Sequence, residues 1–150
     1  MSRTEKELQA WARKSVSLYD HIGISIDSAT DGTYRCSAPC HRNNADHDGS
    51  VHPAVIWLLA ELAGALALIA EGIHEENFAL VRRVSIDFKK LATSAVTAEV
   101  EFTEEDMADV FEVLESEGHC DVDVLSIVRD AEGRVIAEAT CSYTIRAKRN

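Results

Sequence analysis

Only two of the 150 residues are proline and seven are glycine, and no stretch is rich in either. A flexible linker or a low-complexity segment therefore has no material to be built from. Positive charge is also scarce, with 15 Lys and Arg against 26 Asp and Glu and a net charge of −11. A chain so acidic lacks the basic face that nucleic acid or an anionic membrane requires. No glycine-rich phosphate loop is present, and no serine sits in a nucleophile-elbow setting. The opening Met1-Ser-Arg-Thr-Glu-Lys-Glu7 is charged with no apolar core behind it, so no secretory signal is expected. The four cysteines, Cys36, Cys40, Cys120 and Cys141, are then expected to be reduced in a cytoplasmic chain. Cys36, Cys40, His41 and His47 do not have standard zinc spacing, and no second Cys/His pair follows, so no metal is expected.

What the chain does have is one long apolar run. From Pro53 to Ala70 every residue is apolar or glycine except Glu61. That length is near the lower limit for a membrane span, but a carboxylate at its midpoint would be costly at bilayer depth. The run reads instead as a helix buried on all sides. Pro53 suits its first turn, and Glu71-Gly72 suits its end. A helix this apolar needs a sheet around it.

The flanking segments supply one. Thr4-Glu-Lys-Glu7 has the form of a capping box, and Leu8, Trp11, Ala12, Ser15, Leu18 and Tyr19 follow at helical spacing. Strands are predicted where Ile22, Ile24 and Ile26 alternate with polar residues, and again at Tyr34, Cys36 and Ala38, with Asp31-Gly32 as the hairpin turn between them. Residues 41–50 are polar and read as a loop. Leu80, Val84, Ile86 and Phe88 are assigned to one face of a third strand, with Arg83, Ser85, Asp87 and Lys89 on the other. Val96 to Phe102 makes a fourth. Thr103 caps a short amphipathic helix with Met107, Val110, Phe111 and Leu114 on one face. Two further strands run through Val122–Val128 and Val135–Ile145, and Arg146–Asn150 reads as a solvated end. Six strands joined mostly by short turns, with one buried helix between the second and third, make an α+β domain with an antiparallel sheet over residues 1–150.

This order resembles the hotdog-fold acyl-CoA thioesterases, of the phenylacetate-pathway type or a related hotdog subfamily, over about residues 20–146. In that fold a curved antiparallel sheet wraps one central helix. The branch with its acid on that helix carries an Asn in the entering loop and a Gly three residues on. A His-Gly-Gly follows three residues later, with an Asp or Glu nine residues after the His. Gly49, His52 and Glu61 fall in those places. Asp46 stands at the Asn position, with Asn43 and Asn44 nearby, while Pro53 and Ala54 replace the two glycines. The resemblance implies that the first glycine's N–H would bind the thioester carbonyl, and proline has none. Ala54 keeps a donor at the helix N-terminus.

On this reading Glu61 is nucleophile or general base in thioester hydrolysis, its pKa raised by burial. The alternative is a structural carboxylate bonded to a loop or paired with an Arg across an interface. His52 orients the thioester or water, or only caps the loop. Asp46 holds the water or neutralises His52, or is only a polar loop residue. Arg82, Arg83, Lys89 and Lys90 form the densest basic segment and are candidates for the coenzyme A phosphates, with ordinary surface charge as the alternative. Coenzyme A enters as part of the substrate, and no separate cofactor is expected. The resemblance further implies a homodimer or homotetramer with the site between subunits. Against hydrolysis stand a non-catalytic acyl-thioester-binding or ligand-sensing module and a hydroxyacyl-thioester dehydratase, whose motif the His52–Glu61 spacing does not match.

Overall fold

In a computed structural model, which describes residues 3–148, the chain begins at the capping box. The Thr4 hydroxyl accepts from the Glu7 N–H, and the Glu7 carboxylate accepts from the Thr4 N–H. Two donors that a helix start leaves free are thereby paired. Helix α1 (Glu5–Ser15) does not run on to Tyr19 as the periodicity predicts. Val16 is extended (φ −132°), and the chain restarts as α2 (Ser17–Ile22). The restart buries Tyr19 and Ile22 and leaves Leu18 half exposed. Gly23, at φ 79°, ends α2 in the left-handed conformation that glycine adopts without strain. Ile22 therefore belongs to the helix, and strand β1 (Ser25–Thr30) begins later than the Ile22–Ile24–Ile26 alternation suggests.

Asp31 and Gly32 both have positive φ, 55° and 75°, which matches the turn that a two-residue hairpin favours. They lead into β2 (Thr33–Ala38), whose Tyr34, Cys36 and Ala38 are buried. A 3-10 turn (Arg42–Asn44) precedes the central helix α3 (Pro53–Ala70). There follow the one-turn α4 (Ile73–Glu76), β3 (Asn77–Phe88), β4 (Val96–Glu101), α5 (Glu104–Glu117), β5 (His119–Arg129) and β6 (Val135–Ala147). Strand β6 runs one residue past Arg146, into the segment that reads as a solvated end, and Arg149 and Asn150 of that end lie outside the described residues. Thr103 and Asp106 cap α5 reciprocally, as Thr4 and Glu7 cap α1.

The strands form one antiparallel sheet in the order β1-β2-β4-β5-β6-β3, and all six contact α3. This is the hotdog arrangement. Helix α3 is long and apolar enough to cross a bilayer, yet two-thirds of it is buried inside the protein.

It is not buried on all sides. Pro53, Ala54 and Trp57 are exposed, while Leu58, Glu61 and Ala65 are part-exposed. Ala54, Leu58, Glu61 and Ala65 recur at i, i+4, i+7 and i+11, so they share one face. The sheet ends at β1, under α1, on one side and at β3 on the other, and this stripe of α3 shows between them.

Strand β3 is an edge strand with a bulge at Arg82. Before the bulge Ala79 and Val81 lie opposite the buried Ile145 and Tyr143. Beyond it Val84, Ile86 and Phe88 lie opposite Cys141, Ala139 and Ala137. The extra residue switches which positions face inward. Leu80, assigned by alternation to the row of Val84 and Ile86, therefore sits on the other face and is 62% exposed.

Candidate active site

The loop that delivers the chain to α3 is tied down by Asn44, which is 1% exposed. Its side-chain amide donates to the carbonyls of Ile22 (3.0 Å) and Pro39 (2.7 Å), and its own main-chain carbonyl accepts from the His52 N–H (2.7 Å). The loop is thereby fixed to the end of α2 and to β2. Gly49 (φ 83°) turns the chain back, so that Asp46 N–H meets the Ser50 carbonyl and Val51 N–H meets that of Ala92. The Asp46 carboxylate accepts from the His47 N–H (2.8 Å) and ring (2.9 Å). Those bonds hold its pKa below the usual carboxylate value and raise that of His47. Asp46 is therefore hydrogen-bonded to His47 and not to His52.

His52 is the N-cap of α3. Its Nδ1 accepts from the Ala54 N–H at 2.9 Å, which places the proton of the neutral ring on Nε2. Its carbonyl accepts from the N–H groups of Val55 (2.9 Å) and Ile56 (3.3 Å). With no N–H on Pro53, every donor in the first turn of α3 is occupied within the chain. The Ala54 N–H becomes available to a ligand only when the His52 ring turns away.

Glu61 projects from the open stripe two turns further on. Its side chain lines a groove of about 260 Å³ with Trp11 of α1, Ala65 and Leu68 of α3, Ala79 to Val81 of β3, and Tyr143 of β6. Burial among these apolar groups raises the pKa of Glu61, and the Tyr143 hydroxyl partly opposes the rise. The hydroxyl lies 2.8 Å from the Glu61 carbonyl and 3.4 Å from Oε1.

The structure distributes the other candidates. His52 and Ala54 line a largely apolar cavity of about 440 Å³ with Leu18, Ile22, Val55, Trp57 and Leu58. Asp46 and Pro53 line another of about 280 Å³ with Phe88, Lys89 and Lys90. Two lysines thus stand beside the helix N-terminus. Arg82 is at the bulge, with Nη1 3.4 Å from an Asp121 carboxylate oxygen, and Arg83 pairs with Ser142 across the sheet. The four basic residues do not form one patch.

Cys36 is fully buried, and its thiol donates to the Leu59 carbonyl at 3.4 Å. Among the described residues no group of three or more His, Cys, Asp or Glu could hold a metal ion.

Tyr143, Trp11 and Gly64 escape a reading of the sequence alone. Tyr143 continues the inward row Ala137, Ala139, Cys141 of β6, where it reads as core. The available signal is its hydroxyl, a group that needs a partner when it is buried.

Solved structures share this fold. A Pseudomonas aeruginosa protein of unknown function, named a probable thioesterase, matches with a TM-score of 0.91 at 18% identity over 99% of both chains. A Haemophilus influenzae thioesterase matches at 0.73 and 16% identity, over 98% of this chain and 93% of its own. A Staphylococcus aureus thioesterase, solved with a Gln-to-Ala and with a Glu-to-Ala substitution, matches at 0.70 and 17% identity over 87% and 99%. A family profile described as a domain of unknown function (DUF4442) matches residues 5–145. No curated protein matches the chain.

Proposed function

The chain belongs to the DUF4442 family and has the hotdog fold, and from that premise we propose that it hydrolyses acyl-CoA thioesters, with Glu61 as the catalytic carboxylate. The observation that carries this reading is Glu61 itself. It is the one ionisable group on an otherwise apolar helix, desolvated, at the wall of a groove that apolar chain can enter. A carboxylate whose pKa is raised towards neutrality suits a general base or nucleophile. In the Staphylococcus protein the substituted glutamine and glutamate are fifteen positions apart, the separation of Asp46 and Glu61 here.

Hydrolysis requires the reacting carbon within about 3–3.5 Å of the nucleophile and the oxyanion about 3 Å from its donors. Ala54 and Glu61 are seven residues, about 10 Å, apart along α3. A second copy meets the requirement more directly. The Glu61 groove opens at the β3 edge, and pairing that edge with its equivalent would bring a partner's helix N-terminus towards it. In this reading the protein is a homodimer, alone or within a tetramer. Glu61 acts from one protomer, while Ala54 N–H, released by His52, receives the oxyanion from the other. Gly49 sets the loop and Asp46 holds the water. Lys89 and Lys90 meet the coenzyme A phosphates beside that N-terminus, with Arg82 and Arg83 further along the same strand. The same reading makes the protein cytoplasmic, since acyl-CoA occurs there.

The test is thiol release from butyryl-, octanoyl- and benzoyl-CoA by the wild-type protein. Hydrolysis of at least one, with kcat/KM above about 10⁴ M⁻¹s⁻¹, is expected. No release from any of them would overturn the reading.

One observation favours a non-catalytic acyl-thioester-binding protein instead. Pro53 has no N–H and Ala54 N–H is taken by His52, so no donor is free in this conformation. Pro53→Gly separates the two. Under the hydrolase reading Ala54 is the donor, and kcat should stay within a few-fold of wild type. Stability should fall by about 1 kcal/mol, because proline pre-orders the first turn. A rise in kcat of about 10²-fold or more would show instead that Pro53 had disabled the oxyanion site.

A further inference from the structure

Three consecutive carbonyls in the middle of α3 accept hydrogen bonds from the sheet. Leu59 takes the Cys36 thiol of β2 at 3.4 Å, Ala60 the Cys141 thiol of β6 at 3.6 Å, and Glu61 the Tyr143 hydroxyl of β6 at 2.8 Å. Carbonyls in a helix interior already accept from the N–H four residues on, so the helix itself has no need of these bonds. Their effect is to pin the helix against the sheet at one register, and that register is at Glu61. The thiols are weak donors and the hydroxyl is a strong one.

The hydroxyl reaches the helix through a notch. A Cβ on Gly64 would lie 2.6 Å from the Tyr143 oxygen, closer than side chains pack, and 3.3 Å from Cε2 of its ring, a tight contact. Gly64 is buried in mid-helix, where glycine is otherwise a weakening choice. Its place here is explained by the space the hydroxyl occupies. From that notch the same oxygen lies 3.4 Å from Glu61 Oε1, a longer contact that shares the single hydroxyl proton with the 2.8 Å bond to the main chain, while Oε2 has no hydrogen bond among the described residues.

We propose that Tyr143 is a positioning residue for Glu61: its hydroxyl, seated against Gly64, fixes the Glu61 main chain and Oε1, and leaves Oε2 presented to the groove. This rests on the reading of Glu61 as the catalytic carboxylate. No other strong donor among the groups that face Glu61 reaches its carboxylate. Besides Tyr143 these are Cys141 on β6, Cys36 on β2 and Tyr19 on α2, each pushed upward by burial first and then by Glu61, with Asp27 acting on Cys36 ahead of Glu61, and with Tyr19 and Cys141 at about 12. Trp11 of α1 and Ala79, Leu80 and Val81 of β3 bring no charge, and Arg82 is engaged by Asp121. Glu61 is the only ionisable residue of α3. Tyr143 is thus the group that offsets the burial of the carboxylate.

Tyr143→Phe keeps the ring and removes the contact. Followed by carboxyl ¹³C NMR, Glu61 should titrate at higher pH in this variant than in wild type. With the fastest of the three acyl-CoA probes, the acid limb of kcat/KM should move up with it. Within that acid limb, kcat should fall about tenfold while KM stays within about twofold. Gly64→Ala keeps the hydroxyl but displaces it, and should shift the titration in the same direction. A folded Tyr143→Phe protein in which Glu61 titrates as in wild type would overturn the proposal. If Glu61→Gln retains wild-type hydrolysis, the catalytic assignment fails instead, and the NMR titration still decides whether Tyr143 positions the carboxylate.

Discussion

Glu61→Gln is expected to lower kcat at least about 10³-fold and to leave the fold intact. The amide keeps the length and planarity of the side chain and can still accept from Tyr143, so the apolar groove should not collapse. It cannot take a proton from water or attack a carbonyl, and loss of a positioned base alone is worth about 10²–10⁴. Removal of an intended nucleophile costs more. Stability should move the other way. The folded-state pKa of Glu61 is raised by burial, so the native protein binds this proton more tightly than the unfolded chain does. Wild type therefore loses stability as pH rises from about 4.3, where the unfolded carboxyl ionises, through the folded-state value. The neutral amide carries no such penalty. Thermal melts at pH 4 and pH 8 should show the variant gaining on wild type at the higher pH. A variant that hydrolyses the acyl-CoA probes at the wild-type rate would remove Glu61 from the mechanism.

What could be read from the sequence was what depends on neighbouring residues. Thr4 with Glu7 and Thr103 with Asp106 announce helix starts because both partners lie within one turn. Asp31-Gly32 announces its hairpin because the turn needs two positive φ angles in succession. Helix α3 and its lone acid are visible in composition alone. What escaped depends on residues far apart in the chain. The bulges in β1 and at Arg82 are set by cross-strand register, so the alternation that put Leu80 on the face of Val84 and Ile86 could not register the switch. The face of α3 left open depends on where the sheet ends, not on the helix, which is apolar nearly all round. Tyr143 meets Glu61 across 82 positions of sequence. The occupation of Ala54 N–H by the His52 ring is a matter of side-chain rotation, which spacing does not encode.

Replacing Leu80 and Phe88 together with glutamate is expected to convert the proposed dimer into a monomer and to lower kcat/KM by at least about 10²-fold. The two residues lie towards opposite ends of edge strand β3 and on opposite faces of the sheet, 62% and 49% exposed. Phe78, Val81 and the neighbouring Leu91 are also large apolar groups left exposed along this strand. An unpaired edge with such side chains is a hazard that natural proteins seldom leave uncovered. In a symmetric pair each substitution counts twice, so four carboxylates would have to enter one interface. The glutamates cost little in the monomer, where both positions already meet water. Helix α3 and its Glu61 would stay folded, and the catalytic loss would combine the helix N-terminus that the partner no longer supplies with the new carboxylates at the Glu61 groove and beside Lys89 and Lys90. Leu125→Glu, on the outer face of β5 and 59% exposed, is the matched control and should keep both assembly and activity. Light scattering coupled to size exclusion, read with the acyl-CoA assay, decides the matter. A monomeric double variant with wild-type kcat/KM would mean that one protomer holds a complete site and that Ala54 and Glu61 of the same chain act together. A wild-type protein that is already monomeric at micromolar concentration would remove the second subunit from the mechanism.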